Sequence, residues 1–104
     1  MMTQPIHLTP KDLGRLKPLL KDVAAYWVPI ADQLRMASDV PTIQHTPSNT
    51  NPPEFLRDLL YRWLNQGHPT VGSLCEALRG DSEIIGGARV ATELEKEFSG
   101  QIGD

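Results

Sequence analysis

The residues that most often do chemistry in proteins, histidine, cysteine and serine, are scattered along this chain of 104 residues. His7, His45 and His68 have neither an i, i+4 histidine partner nor a carboxylate at ligand spacing, so they predict no metal site. The single cysteine, Cys75, lies in the middle of a predicted helix with no histidine nearby. That setting indicates a packing residue and not a nucleophile.

Two further patterns that can mark active sites are also missing. Ser73 and Ser82 lack the G-x-S-x-G surroundings of a nucleophilic serine, and Gly86 and Gly87 belong to no phosphate-binding glycine loop. We therefore expect no enzymatic activity, no cofactor, no metal and no small-molecule substrate. The function is expected to lie in what the folded surface binds.

The composition is typical of a soluble globular domain. Hydrophobic residues make up 39% of the chain and charged residues 22%, and the length suits one domain with a single core. The net charge of −3 disfavours nucleic-acid binding, which needs a basic surface. No apolar run reaches the length of a membrane span, and the first residues lack the pattern of a signal peptide. We therefore expect a cytoplasmic protein, or the cytoplasmic part of a larger one, without membrane insertion.

The charge is divided unevenly between the two halves of the chain. Met1–Pro52 contains five Lys or Arg and four Asp or Glu, whereas Pro53–Asp104 contains five and nine. The resulting charges of +1 and −4 favour head-to-tail attraction between copies or partners.

One long helix, Asn51–Gln66, is predicted to be the centre of the fold. Asn51 can cap it, Glu54 completes a capping box, and Gly67 can close it in a left-handed conformation. Its apolar residues fall within about half of the helical wheel: Phe55, Leu56, Leu59, Leu60, Trp63 and Leu64. An apolar arc of that width predicts a helix that packs against several others.

Five shorter helices are predicted around this central one. They are a first helix from Thr9 to about Val23, WVPIADQLRM, SDVPTIQH, VGSLCEALR between Thr70 and Gly80, and IIGGARVATELEKEF. Pro18 should split the first helix near Leu16–Lys17, because it removes a backbone donor and crowds the preceding turn. With no strand predicted, the fold class is all-α, with a flexible lead-in at 1–8, a domain at 9–99 and a flexible tail at 100–104.

The last helix contains a pair of glycines, Gly86 and Gly87. Each costs about 1 kcal/mol relative to alanine inside a helix, so the helix either begins after them or uses them to let a neighbour approach. Its predicted buried stripe is Ile84, Ala88, Ala91, Leu94 and Phe98.

Four blocks of residues, in this order and spacing, resemble the death-domain family. They are Trp27-x-x-Ile30-Ala31-x-x-Leu34, Leu59-Leu60-x-x-Trp63, Thr70-x-x-x-Leu74-x-x-Ala77-Leu78 and Ala88-x-x-Ala91-x-x-Leu94. They look like signatures of the second, fourth, fifth and sixth helices of that family, and the resemblance covers about residues 9–98. Caspase-recruitment and death-effector domains share the fold, but the two tryptophan blocks favour the death-domain branch.

The resemblance implies a six-helix antiparallel bundle in Greek-key order. It also implies a homotypic protein-interaction module that assembles signalling complexes in cell death or innate immunity, with other death domains as partners. In that family one contact sets the first and fourth helices against the second and third helices of a neighbour. Another sets the end of the fourth helix against the corner between the fifth and sixth.

The charged residues suggest which side chains serve these contacts. We expect a basic face on the first and fourth helices: Lys11, Arg15, Lys17, Lys21, Arg57 and Arg62. Asp32 and Asp39 would form the acidic face on the second and third helices. For the second contact we expect Asp81 and Glu83 at the corner, matched by Arg62, Asn65 and Gln66 at the end of the fourth helix. Tyr61, on the polar half of the central helix, is a candidate interface anchor.

Two other functions are compatible with the same helices. The chain could be a structural bundle that stabilises or tethers a larger protein. It could also be a helical nucleic-acid-binding domain, since its first helix is basic, although the overall acidity argues against this reading.

Overall fold

The computed structural model describes residues 7–67 and 69–99, and most of this part of the chain is helical. Its β pairing amounts to an isolated bridge between His7 and Thr70, which confirms the all-α class. The predicted tail at 100–104 and most of the lead-in lie outside the described residues. Leu8, the last residue assigned to the lead-in, is buried, and its N–H donates to the Pro69 carbonyl at 2.8 Å.

The α-helices are Leu13–Leu20 (α1), Trp27–Gln33 (α2), Val40–Gln44 (α3), Pro52–Leu64 (α4), Val71–Arg79 (α5) and Gly87–Ser99 (α6). Three 3-10 segments precede or link them: Pro10–Asp12, Lys21–Tyr26 and Ala37–Asp39. Because α3 has only 5 residues, it is little more than one turn, and the other helices form most of the fold. No helix in 7–67 and 69–99 is both long and apolar enough to cross a membrane.

Helix α4 lies at the centre, as its wide apolar arc predicts. It packs against α1, α2, α3 and the 3-10 segment Lys21–Tyr26. Five of the six residues of its predicted apolar arc are buried. The exception is Phe55, which is half-buried and stacks on Trp27 with ring centroids 5.0 Å apart. This aromatic pair joins α2 to the start of α4.

The two ends of α4 differ from the prediction in detail. Asn51 caps it by accepting from the Glu54 N–H at 3.1 Å, but the Glu54 carboxylate accepts from the Thr50 N–H and hydroxyl instead of from Asn51. These hydrogen bonds to the charged form hold the pKa of Glu54 below its ordinary value. The predicted closure at Gly67 is wrong, because the helix ends at Leu64 and Gly67 is not left-handed.

The break in the first helix comes after Pro18, not before it. Helix α1 runs through the proline to Leu20, and the chain then tightens into the 3-10 segment Lys21–Tyr26. A proline ring crowds the carbonyl four residues earlier, which here belongs to the exposed Gly14. The prediction of two pieces is therefore confirmed, whereas its position at Leu16–Lys17 is wrong.

Helix α2 ends with a left-handed residue that is not glycine. Arg35 has a φ of 62°, its N–H donates to the Asp32 carbonyl, and the Met36 N–H donates to the Ala31 carbonyl at 2.7 Å. This pair of bonds is the Schellman arrangement that satisfies the last carbonyls of a helix. A left-handed conformation costs a residue with a Cβ about 1 kcal/mol, so the end of α2 is held by its hydrogen bonds against local strain.

The glycine pair serves both purposes considered for it. Gly86 has a φ of 82°, which turns the chain into α6, and α6 begins at Gly87. Gly87 is buried, and a Cβ on it would overlap the carbonyl oxygen of Leu78 on α5. The expected burial of Ala88 is wrong: it is exposed, and Val90 is buried in its place.

We predict that Gly87→Ala lowers the free energy of unfolding by about 2 kcal/mol, because the added methyl group must displace the α5 backbone. Gly14→Ala is the matched control, since a Cβ there meets nothing within 4 Å, and it should raise the free energy of unfolding by roughly 0.5 kcal/mol. Urea denaturation of both variants measures the difference. Equal effects would show that α5 and α6 are not closely packed at Gly87.

Candidate functional site

A groove with a basic rim lies between α4 and the first helical region. Its volume is about 420 Å³. Three cations line it, Lys17 on α1, Lys21 at the start of the following 3-10 segment and Arg57 on α4. The rest of its lining is apolar or glycine: Gly14, Pro18, Ala24, Pro53, Leu56 and Leu60. We call it the basic groove.

The cations of the basic groove have no ion-pair partner among the described residues, although acidic residues lie close to them in sequence. Asp22 follows Lys21 but pairs with Arg89 of α6 at 3.2 Å. Asp58 follows Arg57 but pairs with another arginine of its own helix at 2.9 Å. Both carboxylates are therefore directed elsewhere. The charge of Arg57 helps to lower the pKa of Glu54, but within 7–67 and 69–99 the two side chains form no ion pair.

A second groove has the opposite charge. It lies between α2, the 3-10 segment before α3, α3 itself and the corner that joins α5 to α6, and its volume is about 450 Å³. Asp32, Asp81 and Glu83 line it, and no lysine or arginine does. Its other lining residues are Val28, Pro29, Ala37, Val40 and Pro41. We call it the acidic groove.

The acidic groove unites residues that the sequence assigned to two separate contacts. Asp32 was expected on the face of the second and third helices, and Asp81 and Glu83 at the corner before the sixth. The corner is held in shape by the Glu83 N–H, which donates to the Asp81 carboxylate at 2.9 Å. Asp39 lies in the 3-10 segment before α3, half-buried, and does not line the groove.

Arg15, expected on the basic face, has interaction partners within its own chain. Its guanidinium donates to the Glu97 carboxylate at 3.2 Å and to the Glu97 carbonyl at 3.3 Å. The same group lies over the Phe98 ring, 4.2 Å from the centroid. The ion pair and the cation–π contact therefore hold Arg15 between α1 and the end of α6.

Arg62 and Asn65, expected to oppose the corner of a neighbour, also have partners within the chain. Arg62 donates to Asp58, and the Asn65 amide donates to the Tyr61 carbonyl at 2.8 Å. Asp58 also accepts from the buried Asn49 at 2.8 Å, which pins the loop before α4. The third member of that expected set, Gln66, is exposed.

The other expected site residues lie at the surface. Lys11 is exposed in the first 3-10 segment, outside the basic groove, and Tyr61 is 51% exposed on α4. Val28, which was not among the expected site residues, is 42% exposed and lines the acidic groove. A signal for it existed, because Val28 is an apolar residue outside the buried stripe of its own helix.

Cys75 has the surroundings of a packing residue. It is buried between α5 and α6, and its thiol donates to the Ala91 carbonyl with a sulfur–oxygen distance of 3.4 Å. Burial, helped by the charge of Glu95, raises the pKa of the thiol to about 11. A thiol with so high a pKa is a poor nucleophile at neutral pH.

We predict different outcomes for charge reversal at two arginines of the expected basic face. Arg15→Glu should lower the free energy of unfolding by about 1 kcal/mol or more, because it loses the Phe98 contact and faces Glu97. Arg57→Glu should change it by less than about 0.5 kcal/mol, since Arg57 forms no ion pair in the described structure. Urea denaturation of the two variants measures both values; equal losses would contradict the placement of Arg15.

We predict that alkaline pH destabilises the fold through Cys75. The unfolded thiol titrates near its ordinary pKa of 9.0 and the folded one near 11, so its stabilising contribution is complete below pH 9 and is lost as the pH rises through 11. Between pH 8 and pH 10 the loss should be about 1 kcal/mol. Denaturation at both pH values should show this loss in the wild type, and Cys75→Ala should lack it. An unchanged loss in the variant would assign the effect to other groups.

No family model matches this chain, and no curated protein or solved structure matches it either. The four sequence blocks therefore carry the resemblance to death domains without further support from relatives. The features of the described structure that bear on function are the two grooves and the charged residues that line them.

Proposed function

We propose that this chain is a protein-interaction module of the death-domain type, built as a six-helix antiparallel bundle, that joins death domains head to tail in cytoplasmic signalling complexes. It acts by binding and not by catalysis, and it needs no cofactor. The observation that carries the proposal is the presence of two separate grooves of opposite charge on one chain.

The charges of the two grooves are complementary between copies, not within one copy. The basic groove contains three cations and no carboxylate, and the acidic groove contains three carboxylates and no cation. A contact between different surfaces of two copies is heterologous, so each copy keeps one groove available for the next. Such pairing sets the rate of encounter and the choice of partner more than the affinity.

Apolar surface near the acidic groove can supply affinity. Val28 and Asp32 lie one helical turn apart on α2, so an exposed aliphatic side chain stands beside a carboxylate. Burying apolar area contributes roughly 25 cal/mol per Å², whereas an exposed ion pair contributes about 0–1 kcal/mol. We infer that Val28 provides contact area and that Asp32 provides orientation.

The surface also bears on the two other candidate functions. A nucleic-acid-binding face would need more cations than the three of the basic groove, on a chain whose net charge is −3. A tethering bundle would place no demand on the charge of either groove. Separation of opposite charges into two grooves therefore favours the interaction module.

We predict that two charge-reversal variants lose self-association and recover it when mixed. Lys21→Glu should weaken self-association at least tenfold, because it puts a carboxylate opposite the acidic groove. Asp32→Lys should do the same by putting a cation opposite the basic groove. Their equimolar mixture should associate, since each variant retains the groove that the other lacks. Sedimentation velocity at low and high salt measures all three samples.

The matched control is Glu76→Lys, which makes the same charge change at an exposed residue outside both grooves. It should associate like the wild type, and the wild type should dissociate as salt is raised. A wild-type chain that stays monomeric at low salt and millimolar concentration would contradict self-association. A mixture that fails to recover would contradict the pairing of these two grooves.

A further inference from the structure

We propose that the basic groove is also a binding site for one anionic amphiphile, a molecule with a single aliphatic chain and a phosphate or carboxylate headgroup. The shape and the lining of the groove indicate this class of ligand. This binding does not depend on the self-association proposed above.

The size and lining of the basic groove suit a small amphiphilic ligand. Small-molecule sites in proteins are about 300–1,000 Å³, mostly apolar, with a few polar groups that fix orientation. This groove has about 420 Å³, with proline, alanine and leucine side chains over most of its lining. Pro18 and Pro53 are exposed at its edge, whereas Leu56 and Leu60 are buried and form its base. An aliphatic chain would lie against the exposed prolines, since Leu56 and Leu60 have almost no accessible surface.

An anion bound among the three cations of the groove would reduce their mutual repulsion. Lys17 and Lys21 are four residues apart, a spacing that puts two like charges side by side on a helical surface at some cost to stability. Arg57 approaches from α4 and adds a planar group able to donate two hydrogen bonds to a carboxylate or phosphate.

Neither an anion alone nor an aliphatic chain alone would match both the cations and the apolar lining of the groove. An inorganic anion would leave the exposed Pro18 and Pro53 in contact with water, and an uncharged aliphatic chain would leave three cations without an ion-pair partner. The acidic groove of a second copy is itself concave, so it can meet the rim charges but does not fit into the groove. A slender chain with a charged head meets both requirements at once.

Binding of such a ligand would also bear on assembly. Its headgroup would occupy Lys17, Lys21 and Arg57, the cations that the proposed function assigns to a second copy. An amphiphile in the groove would then compete with that copy. Only this expected competition rests on the proposed function.

We predict that dodecyl phosphate, kept below its critical micelle concentration, binds in the basic groove. Amide signals of Ala24, Leu56 and Leu60 should shift on titration, and the affinity should exceed that of dodecyl maltoside and of inorganic phosphate at least tenfold. The first comparison keeps the chain and removes the charge, and the second keeps the charge and removes the chain. Equal binding of dodecyl maltoside would overturn the proposal, because it would show detergent adsorption only.

Variants test the position of the site. Lys17→Glu combined with Lys21→Glu should weaken dodecyl phosphate binding at least tenfold with the far-UV circular dichroism unchanged. Lys11→Glu, at an exposed lysine outside the groove, should bind like the wild type. Gly14→Leu should weaken binding without a change of charge, since the leucine side chain would occupy part of the space that the aliphatic chain of the ligand needs.

A last comparison separates a single amphiphile from a membrane surface. Vesicles of phosphatidylglycerol present many anionic headgroups but no free chain. Binding to the vesicles without binding to monomeric dodecyl phosphate would overturn the proposal in favour of surface electrostatics. Equal loss of binding in Lys11→Glu and in the lysine pair would overturn it in the same way.

Discussion

The rest of the structure depends on the burial of the apolar arc of α4. That arc covers about half of the helix, so one neighbour cannot shield it, and α1, α2 and α3 all pack against it. The opposite face of α4 carries four side chains that remain partly or largely exposed: Arg57, Asp58, Tyr61 and Arg62. The basic groove lies at the edge of the buried arc, where Leu56, Arg57 and Leu60 meet α1 and the 3-10 segment after it.

Local features of the fold could be predicted from the sequence because their causes lie within a few residues. The caps at Asn51 and Thr70 and the buried stripes of α4 and α5 follow from spacing alone. The predictions were wrong where the chain had another local way to break or end a helix. A helix can continue through Pro18 at the cost of one hydrogen bond, and α4 closed without using Gly67.

The site was harder to predict because its geometry depends on contacts between residues distant in sequence. Nothing local indicates that Arg15 meets Glu97, or that Asp22 pairs with Arg89. These long-range pairs decide which charges remain for a partner. Of the cations expected on the basic face, Lys17, Lys21 and Arg57 line one groove. Arg15 and Arg62 instead form ion pairs within the chain. For the same reason the sequence did not indicate that Asp32 and the two corner carboxylates line one groove.

The close approach at Gly87 has a mechanical consequence for the corner that precedes it. Ala88, the next residue along α6, could not take the place of Gly87, because its side chain would collide with the Leu78 carbonyl. The contact therefore fixes the register of α6 against α5, and with it the distance that the corner between the two helices must span. Asp81 and Glu83 lie on that corner, so their position relative to both helices depends on the missing side chain at Gly87.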